Sequence, residues 1–373
     1  MSPPVPFVDL SAQRLILGGR IDQRLASVMD HCQFILGPEV DELEDILAQR
    51  TNRRHCVTCA SGTDALQIAL MALDVVPGDR VVVPDFTFVA TAEAVRLVGA
   101  VPVFADVDPI TYNLDPVSVE MAWQLSGPSP VGVISVDLFG LPAQGDLLEQ
   151  VVDRHNAWLI TDGAQSFGAT RDGRSSLARG KIATTSFYPS KPLGGYGDGG
   201  AVFCDDDLLA SMLRSIRSHG VGDNSSCHDR IGLTGRLDTL QAAVLLTKLE
   251  VFDSEIKDRQ RLANSYSDAL ADIVTPPRHS ADVVPVWAQY TVEVEERDKV
   301  RLRMEEQGVP TCVFYPKPVH MQTAYRSCPV VPTGTEVAFL ASSRVLSLPM
   351  HPYLDNSVQD RIISTLCAAV VER

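Results

Sequence analysis

Hydrophobic positions between about residues 55 and 205 fall into short apolar, β-branched runs separated by segments with helical spacing. The apolar runs are DRVVVPDF, AVPVFADVD, VGVISVDLFG, AWLITDGAQ, IATTSFYPS and GAVFCDD. This alternation predicts a mainly parallel sheet whose strands are joined by crossover helices. The expected fold class is therefore α/β.

Helical patterns precede and follow this region. The segment GPEVDELEDILAQR places Val40, Leu43 and Leu47 on one helical face, and GTDALQIALMAL predicts a second, more apolar helix. After Arg236, the stretch LDTLQAAVLLTKLEVFDSEIKDRQRLANSYSDALADI contains no glycine or proline, which predicts one long helix. The remainder contains the strand-like WAQYTVEVE and the helical RDKVRLRMEEQGV, which indicate an α+β layer.

These patterns predict two domains in a chain that is long for one domain. Residues 1–250 form the large α/β domain in this interpretation, and residues 251–373 form a smaller C-terminal α+β domain. The first ~20 residues are available to pack on the small domain.

Composition narrows the choice of partners. The formal net charge is −15 and no Lys/Arg-rich block occurs, so neither a nucleic acid nor an anionic membrane is an expected partner. The start, MSPPVPFVDLSAQR, lacks the pattern of a signal peptide, and no apolar run approaches the ~18 residues of a membrane helix. We expect a cytoplasmic protein.

Eight cysteines are scattered along the chain, mostly beside apolar residues. In a reducing compartment this is typical of small buried side chains. Cys56 and Cys59 have the C-x-x-C spacing of a redox pair or half a metal site. Since no second pair or histidine cluster lies nearby, we expect no metal site.

Polar or aromatic side chains follow four of the apolar runs. They are Asp162 and Gln165 after AWLIT, Ser186 and Lys191 after IATT, Ser61, Gly62 and Thr63 after RHCVTCA, and Phe86 and Phe88 at the end of VVVPDFTF. Ligands of open α/β sheets bind beyond the carboxyl ends of the strands. These side chains are therefore the first candidates for a site.

Together these groups match the needs of pyridoxal 5′-phosphate. A helix that starts with Ser-Gly-Thr suits a phosphate. Lys191 could form a Schiff base, provided that its surroundings lower its pKa from the usual ~10.4. A buried Asp162 at ~4 Å would attract a protonated pyridine nitrogen by roughly 4 kcal/mol at an effective dielectric constant of about 20. An aromatic residue would stack on the ring.

Taken singly, each residue has an ordinary explanation. Asp162 could cap a helix, and Lys191 could be a lysine in a hairpin. The stretch from Gly195 to Gly200 satisfies G-x-G-x-x-G, but the strand-like AVFCDD follows it, so a nicotinamide oxidoreductase ranks low. The cofactor prediction depends on the joint occurrence of these residues.

A set of motifs carries a family resemblance across nearly the whole chain. In order, they are GPEVDELE, SGTDALQIAL, PDFTFVATAEAV, GAVPVFADVDPITYNLDP, TDGAQSFGA, SFYPSKPLGGYGDGGAVF, GRLDTLQAA, YP with a following histidine, and SLPMHP. The chain thus resembles the DegT/StrS-type nucleotide-sugar aminotransferases. The resemblance implies the aspartate aminotransferase fold (PLP fold type I) and a homodimer with shared active sites.

Within that family the chain is most similar to bacterial enzymes that aminate UDP-2-acetamido-2-deoxy-3-oxo-glucuronate. The resemblance implies L-glutamate as amino donor and a role in O-antigen, and so lipopolysaccharide, biosynthesis. Two alternatives stay open. One is an aminotransferase for another keto-sugar nucleotide, such as a dTDP-linked 3- or 4-keto hexose, and the other is a regulator that binds pyridoxal phosphate without turnover.

The resemblance also implies roles for residues around the cofactor ring. Lys191 occupies the position of the Schiff-base lysine that also shuttles the proton, and Asp162 that of the carboxylate at the pyridine nitrogen. Gln165 corresponds to the residue near the phenolic oxygen, and Phe88 to the stacked aromatic. Members with histidine at the lysine position are dehydratases, so Lys191 favours transamination.

Phosphate contacts are implied for Ser186, Gly62 and Thr63. Similar enzymes complete the site across a dimer interface, often with an asparagine that contacts the phosphate. Thr234 stands at that position here.

Substrate contacts are implied for five further positions. Arg236 corresponds to an arginine that binds the sugar carboxylate, for which a planar guanidinium is suited. Without the resemblance, an ion pair at the helix start with Asp238 or a neighbouring residue is the favoured interpretation. Ser190 and Tyr315 are retained. Similar enzymes have tyrosine at Phe34 and histidine at Phe314, and also glycine at Cys32, so this sugar site is more apolar and bulkier.

Overall fold

The computed structural model describes residues 5–222 and 226–371. The helices are α1 (Leu10–Leu17), α2 (Gly19–His31), α3 (Pro38–Thr51), α4 (Gly62–Ala72), α5 (Ala90–Leu97), α6 (Pro116–Glu120), α7 (Gly145–Arg154), α8 (Asp207–Ile216), α9 (Thr239–Leu270), α10 (Arg297–Glu306), α11 (Glu336–Arg344) and α12 (Asn356–Val371). The strands are β1 (His55–Cys59), β2 (Arg80–Pro84), β3 (Val101–Ala105), β4 (Pro130–Val136), β5 (Trp158–Asp162), β6 (Thr170–Arg171), β7 (Arg174–Ser175), β8 (Ile182–Ser186), β9 (Gly200–Cys204), β10 (Val283–Val284), β11 (Tyr290–Glu293) and β12 (Val345–Leu348).

A seven-stranded sheet forms the centre, in the order β1-β9-β8-β5-β4-β2-β3. The strands β8, β5, β4, β2 and β3 are parallel, and β9 runs antiparallel to both of its neighbours. The predicted mainly parallel sheet is confirmed. Because parallel strands end at the same edge, the residues after β2, β5 and β8 lie on one side of the molecule.

Helices cover both faces of this sheet, which explains the near-continuous apolar strands. In β2, Val81 and Val83 pack against α4 and α5, whereas Val82 packs on the opposite face with Leu148 and Val152 of α7. Successive side chains of a strand point to opposite faces, so a strand buried on both sides has to be apolar throughout.

The long helix α9 confirms the prediction made from its lack of glycine and proline. Its first half packs under the sheet through Leu245 and Leu246, and its second half, with Leu262 and Tyr266, joins a separate core formed with β11, β12 and α12. Val5 belongs to this second core. The division into residues 1–250 and 251–373 stays a prediction.

The C-x-x-C pair has a plain structural explanation. Cys56 and Cys59 are buried in β1, and their side chains enter different cores because an offset of three residues places them on opposite faces. Burial raises the pKa of the Cys59 thiol. Among the described residues, no group of three histidine, cysteine or acidic side chains is arranged to hold a metal ion.

Of the helices in residues 5–222 and 226–371, not one combines the length and the apolar composition that a bilayer crossing requires.

Candidate active site

The predicted chemistry gathers at the carboxyl edge of the sheet. Asp162 is the last residue of β5, and Ser186 is the last residue of the adjacent strand β8. Ser186 pairs with Gly200 of β9, which in turn pairs with Cys59 at the end of β1. The start of α4 follows β1 directly, so Gly62 lies beside the same edge.

Lys191 lies in a tight turn after β8. Its backbone N–H donates to the carbonyl of Tyr188 at 2.8 Å, and Gly195 N donates to the carbonyl of Phe187 at 2.7 Å. A Cβ at Gly194 would lie 2.4 Å from the carbonyl oxygen of Pro189, so only glycine fits there. The glycines after the lysine are thus explained by the close turn.

The Lys191 amine has no hydrogen-bond partner among the described residues. Although the residue keeps some solvent exposure, the protein around the amine lowers its pKa to about 8. Burial is the cause, and the negative charge of Asp162 acts in the opposite direction. The amine is therefore closer to its neutral, nucleophilic form than an ordinary lysine.

Asp162 is buried and held in a defined orientation. Its Oδ2 accepts from Thr91 Oγ1 at 3.1 Å, and its Oδ1 accepts from Ala164 N at 3.1 Å. Burial raises the pKa of this carboxyl, and the Ala164 hydrogen bond, the charge of Lys191 and the Thr91 hydrogen bond oppose that shift. No helix begins after Asp162, so its role as a helix cap is excluded.

Gln165 connects the sheet edge to the C-terminal part of the chain. Its Oε1 accepts from Phe139 N at 2.6 Å, and its Nε2 donates to the Tyr315 hydroxyl at 3.3 Å. The Tyr315 ring lies 6.1 Å from those of both Phe86 and Phe88, measured between centroids. Phe88 is 54% exposed, which leaves its ring available for a ligand.

The start of α4 forms a cup against Ser186. Ser61 caps the helix by accepting from Asp64 N at 3.0 Å, and the N–H groups of Gly62 and Thr63 have no partner among the described residues. A Cβ at Gly62 would lie 2.7 Å from Ser186 Cβ, so glycine is required for this approach. Two free N–H groups at the positive end of a helix favour a phosphate.

Arg236 carries an unpaired charge. Its Nε is buried without a hydrogen-bond partner among the described residues, and the alternative ion pair with Asp238 does not form there. Asp238 occupies the N-cap position of α9 without a side-chain hydrogen bond to the helix, and its backbone forms an isolated bridge with Ile35. This places Phe34 beside the start of α9, where its carbonyl accepts from Thr239 N at 2.9 Å.

Thr234 contacts His219, a histidine outside the motifs of the sequence. Its Oγ1 lies 2.9 Å from Nε2 of His219, and Thr234 is exposed. Its hydroxyl makes no contact with the cup at α4 in the described part of this single chain. The proposed contact with phosphate across a dimer stays a prediction.

The remaining candidate substrate positions have different surroundings. Ser190 is exposed, one residue before Lys191. Phe314 packs edge-on against Phe7, with 6.3 Å between ring centroids. Cys32 ends α2 with φ = 59°, the left-handed region that favours glycine. Glycine at this position in similar enzymes thus has a backbone reason.

Sequence reasoning missed Thr91 and Phe7. A threonine inside an apolar helical segment and a phenylalanine near the start of the chain carry no local signal of a site. Their importance comes only from long-range contacts with Asp162 and Phe314.

The arrangement fits pyridoxal phosphate by its donor set. Burial disfavours the charged form of Asp162, and a protonated pyridine nitrogen would give its carboxylate a positive partner besides Lys191. The cup at Gly62 suits the phosphate, and the Lys191 amine, with its lowered pKa, suits the aldehyde.

Comparisons with known proteins identify the family. The DegT/DnrJ/EryC1/StrS aminotransferase family matches residues 16–367. The chain is 45% identical over 368 residues to the UDP-2-acetamido-2-deoxy-3-oxo-D-glucuronate aminotransferase of Pseudomonas aeruginosa, covering 98% of this chain and 99% of the relative. It is 38% identical to the dTDP-3-amino-3,4,6-trideoxy-alpha-D-glucose transaminase of Streptomyces venezuelae, covering 98% and 96%.

Solved structures show the same fold. The crystal structure of a DegT DnrJ EryC1 StrS aminotransferase from Brucella abortus matches with a TM-score of 0.97 and 44% identity, covering 99% of this chain and 100% of that chain. Aminotransferases of this family use pyridoxal 5′-phosphate. This chain therefore belongs to the DegT/DnrJ/EryC1/StrS aminotransferase family and is a pyridoxal-phosphate-dependent sugar aminotransferase with the aspartate aminotransferase fold.

Proposed function

We propose that the chain transfers the amino group of L-glutamate to the keto carbon of UDP-2-acetamido-2-deoxy-3-oxo-D-glucuronate. The similarity to the Pseudomonas aeruginosa enzyme supports this substrate. The structural observation that carries the proposal is the unpaired guanidinium of Arg236. A uronate carboxylate would give that guanidinium, whose Nε is buried, a bidentate partner.

The residues at the sheet edge would hold the cofactor. Pyridoxal phosphate, when bound, supplies an aldehyde that a neutral amine can attack and a cationic ring that withdraws electrons from the reacting carbon. Asp162 would keep the ring nitrogen protonated, and Phe88 would cover a face of the ring. Gly62, Thr63 and Ser186 would donate to the phosphate. Gln165 would flank the phenolic oxygen.

Lys191 would act as the general acid and base of both half-reactions. Its neutral Nζ accepts the α-proton of L-glutamate in the first half-reaction. In the second half-reaction, Nζ delivers a proton to the sugar carbon that receives the nitrogen. A pKa of about 8 suits both directions near neutral pH, because neither protonation state is rare.

The sugar side of the site would combine one charge, two hydroxyls and two aromatic rings. Arg236 would bind the carboxylate, and Ser190 and Tyr315 would bind the remaining polar groups. Phe34 and Phe314 would make this region more apolar than in similar enzymes. Such a site would discriminate against sugars that need hydrogen bonds at these positions.

The assembly and the pathway are further parts of the proposal. We propose a homodimer with shared active sites, in which Thr234 of one protomer contacts the phosphate bound by its partner. We also propose a cytoplasmic role in the synthesis of a bacterial surface polysaccharide such as O-antigen.

Mass spectrometry of the reaction products tests which nucleotide sugar is the substrate. The holoenzyme is incubated with L-glutamate and a panel of UDP- and dTDP-linked 3- and 4-keto sugars. The proposal expects 2-oxoglutarate and an aminated UDP-3-keto uronic acid as the main products. If only a dTDP-linked sugar were aminated, that sugar and not the UDP-linked uronate would be the substrate. Binding of the cofactor with no 2-oxoglutarate formed from L-glutamate, whichever sugar is present, would favour the regulator alternative.

The pH dependence of cofactor capture tests the state of Lys191. Only the neutral amine attacks the aldehyde, and its fraction rises as the pH rises towards the pKa of about 8. The capture rate by apo-protein, followed by stopped-flow absorbance, should rise about fivefold from pH 7 to 8 and less than twofold from pH 8 to 9. A rise of about tenfold per unit up to pH 9, still continuing towards pH 10, would indicate an ordinary lysine.

Substitution of Arg236 tests sugar recognition. Arg236→Ala should raise the sugar KM about 10- to 100-fold, because a charged hydrogen-bonded pair contributes about 1.5–3 kcal/mol. The glutamate half-reaction should stay largely intact. Arg24→Ala is the matched control, since Arg24 is an exposed arginine paired with Glu42. Equal damage to both half-reactions would contradict a role in sugar recognition.

A further inference from the structure

His320 is a prominent residue that the proposed site does not use. It follows the candidate substrate residue Tyr315 by five positions and is the histidine of the YP motif. Its Nδ1 contacts Oδ2 of Asp85, and the side chain of His320 is 29% exposed. Asp85 comes directly after β2 and is completely buried. A residue at the sheet edge thus meets a distant segment of the chain.

The carboxylate of Asp85 gathers donors from two segments. Its Oδ1 accepts from His320 N at 2.8 Å, and its Oδ2 accepts from Thr335 Oγ1 at 2.6 Å as well as facing the histidine ring. The Asp85 carbonyl accepts from Val319 N at 2.9 Å. These bonds attach both segments to the end of β2.

Both segments joined by the Asp85–His320 contact also reach Tyr315. Phe86 follows Asp85 directly, and its ring lies 6.1 Å from that of Tyr315 between centroids. Tyr315 and His320 belong to the same short segment. The Tyr315 hydroxyl in turn accepts from Gln165 at 3.3 Å. The bonds to Asp85 therefore close a ring of contacts around the Tyr315 side chain.

We propose that Asp85, His320 and Thr335 form a clamp that positions Tyr315 against Gln165 in the active site. The three residues are positioning residues: Asp85 and His320 hold the segment that carries Tyr315, and Thr335 holds the Asp85 carboxylate. The inference deepens the proposed function and rests on the role proposed there for Tyr315 and Gln165. It adds three residues that touch neither the sugar nor the cofactor but affect how Tyr315 is oriented towards them.

A double-mutant cycle between His320→Gln and Tyr315→Phe tests the clamp in the holoenzyme. Each single variant should lower kcat/KM for the accepted nucleotide sugar about tenfold. The double variant should also fall about tenfold rather than a hundredfold, because both changes remove the same positioned hydroxyl. His320→Gln should also shift the absorbance maximum of the bound cofactor in the same direction as Tyr315→Phe.

His155→Gln is the matched control. His155 also pairs with a carboxylate, Glu120, at 2.6 Å, and its side chain is similarly exposed, at 25%. This variant should change neither kcat/KM nor the absorbance maximum. Thr335→Val is a milder second variant that keeps the shape of the side chain, and it should give the same spectral shift as His320→Gln.

Two results would overturn the clamp. One is additive losses that reach a hundredfold in the double variant. The other is His320→Gln and Thr335→Val proteins with lowered thermal midpoints but normal kcat/KM and absorbance. Wild-type holoenzyme that aminates no nucleotide sugar would overturn the proposed function instead, and the shift in cofactor absorbance would still test the clamp.

Discussion

Lys191→Ala should abolish covalent capture of pyridoxal phosphate and lower kcat by about 10³-fold or more. The variant removes the amine that we propose attacks the aldehyde and moves the proton. The fold should survive, because the amine makes no hydrogen bond among the described residues and its burial already lowers its pKa to about 8. Below that pH, the charged amine in this site lowers the free energy of unfolding, so its removal does not weaken the fold.

Absorbance spectra and turnover of purified protein check this expectation. The visible band of the covalently bound cofactor should be absent, while circular dichroism stays native. Lys248→Met is the matched control. Lys248 is a second buried lysine whose pKa burial lowers to about 8, and its Nζ lies 4.4 Å from the centroid of the Tyr196 ring. If the Lys191→Ala protein kept the visible band of the covalently bound cofactor, Lys191 could not be the residue that binds it.

Asp162→Asn should lower kcat about a thousandfold. A carboxylate at ~4 Å stabilises a protonated ring nitrogen by roughly 4 kcal/mol at an effective dielectric constant of about 20, which corresponds to about three powers of ten in rate. Asparagine keeps the shape, its Oδ1 can still accept from Ala164 N, and its amide N–H can donate to the Thr91 hydroxyl. The loss should therefore appear in kcat and in the cofactor spectrum, with a small change in thermal midpoint.

Asp137→Asn is the matched control for that variant. Asp137 is a buried carboxylate after the adjacent strand β4, burial raises its pKa, and it accepts from Ser166 and Ala143. Its substitution should lower the thermal midpoint while the cofactor spectrum stays that of the wild type. If the two aspartate variants lose kcat equally and share one spectrum, Asp162 has no special role at the ring nitrogen.

Much of the chemistry could be predicted from local patterns. Asp162 and Ser186 end apolar runs, and Lys191 follows one of them closely. Since parallel strands end at one edge of a sheet, the order of runs and polar residues was enough to bring them together. The glycine turn and the start of α4 were likewise local features.

The surroundings of these residues could not be predicted in the same way. The sequence left the partner of Arg236 open, and only the packed chain shows its guanidinium without an ion pair among the described residues. Thr91 was missed because its contact with Asp162 joins a helix to a strand 71 residues away. The partner of Thr234 in a dimer stays a prediction.

The sequence by itself therefore determined the fold class and the cofactor, and it predicted the central lysine and aspartate, because hydrophobic periodicity and strand ends are local properties. Only the tertiary structure decided which side chains orient and surround them. Gln165 meets Tyr315 across 150 residues, and Asp85 meets His320 across 235. Such contacts depend on how loops pack after the sheet has formed, and no short stretch of sequence encodes that packing.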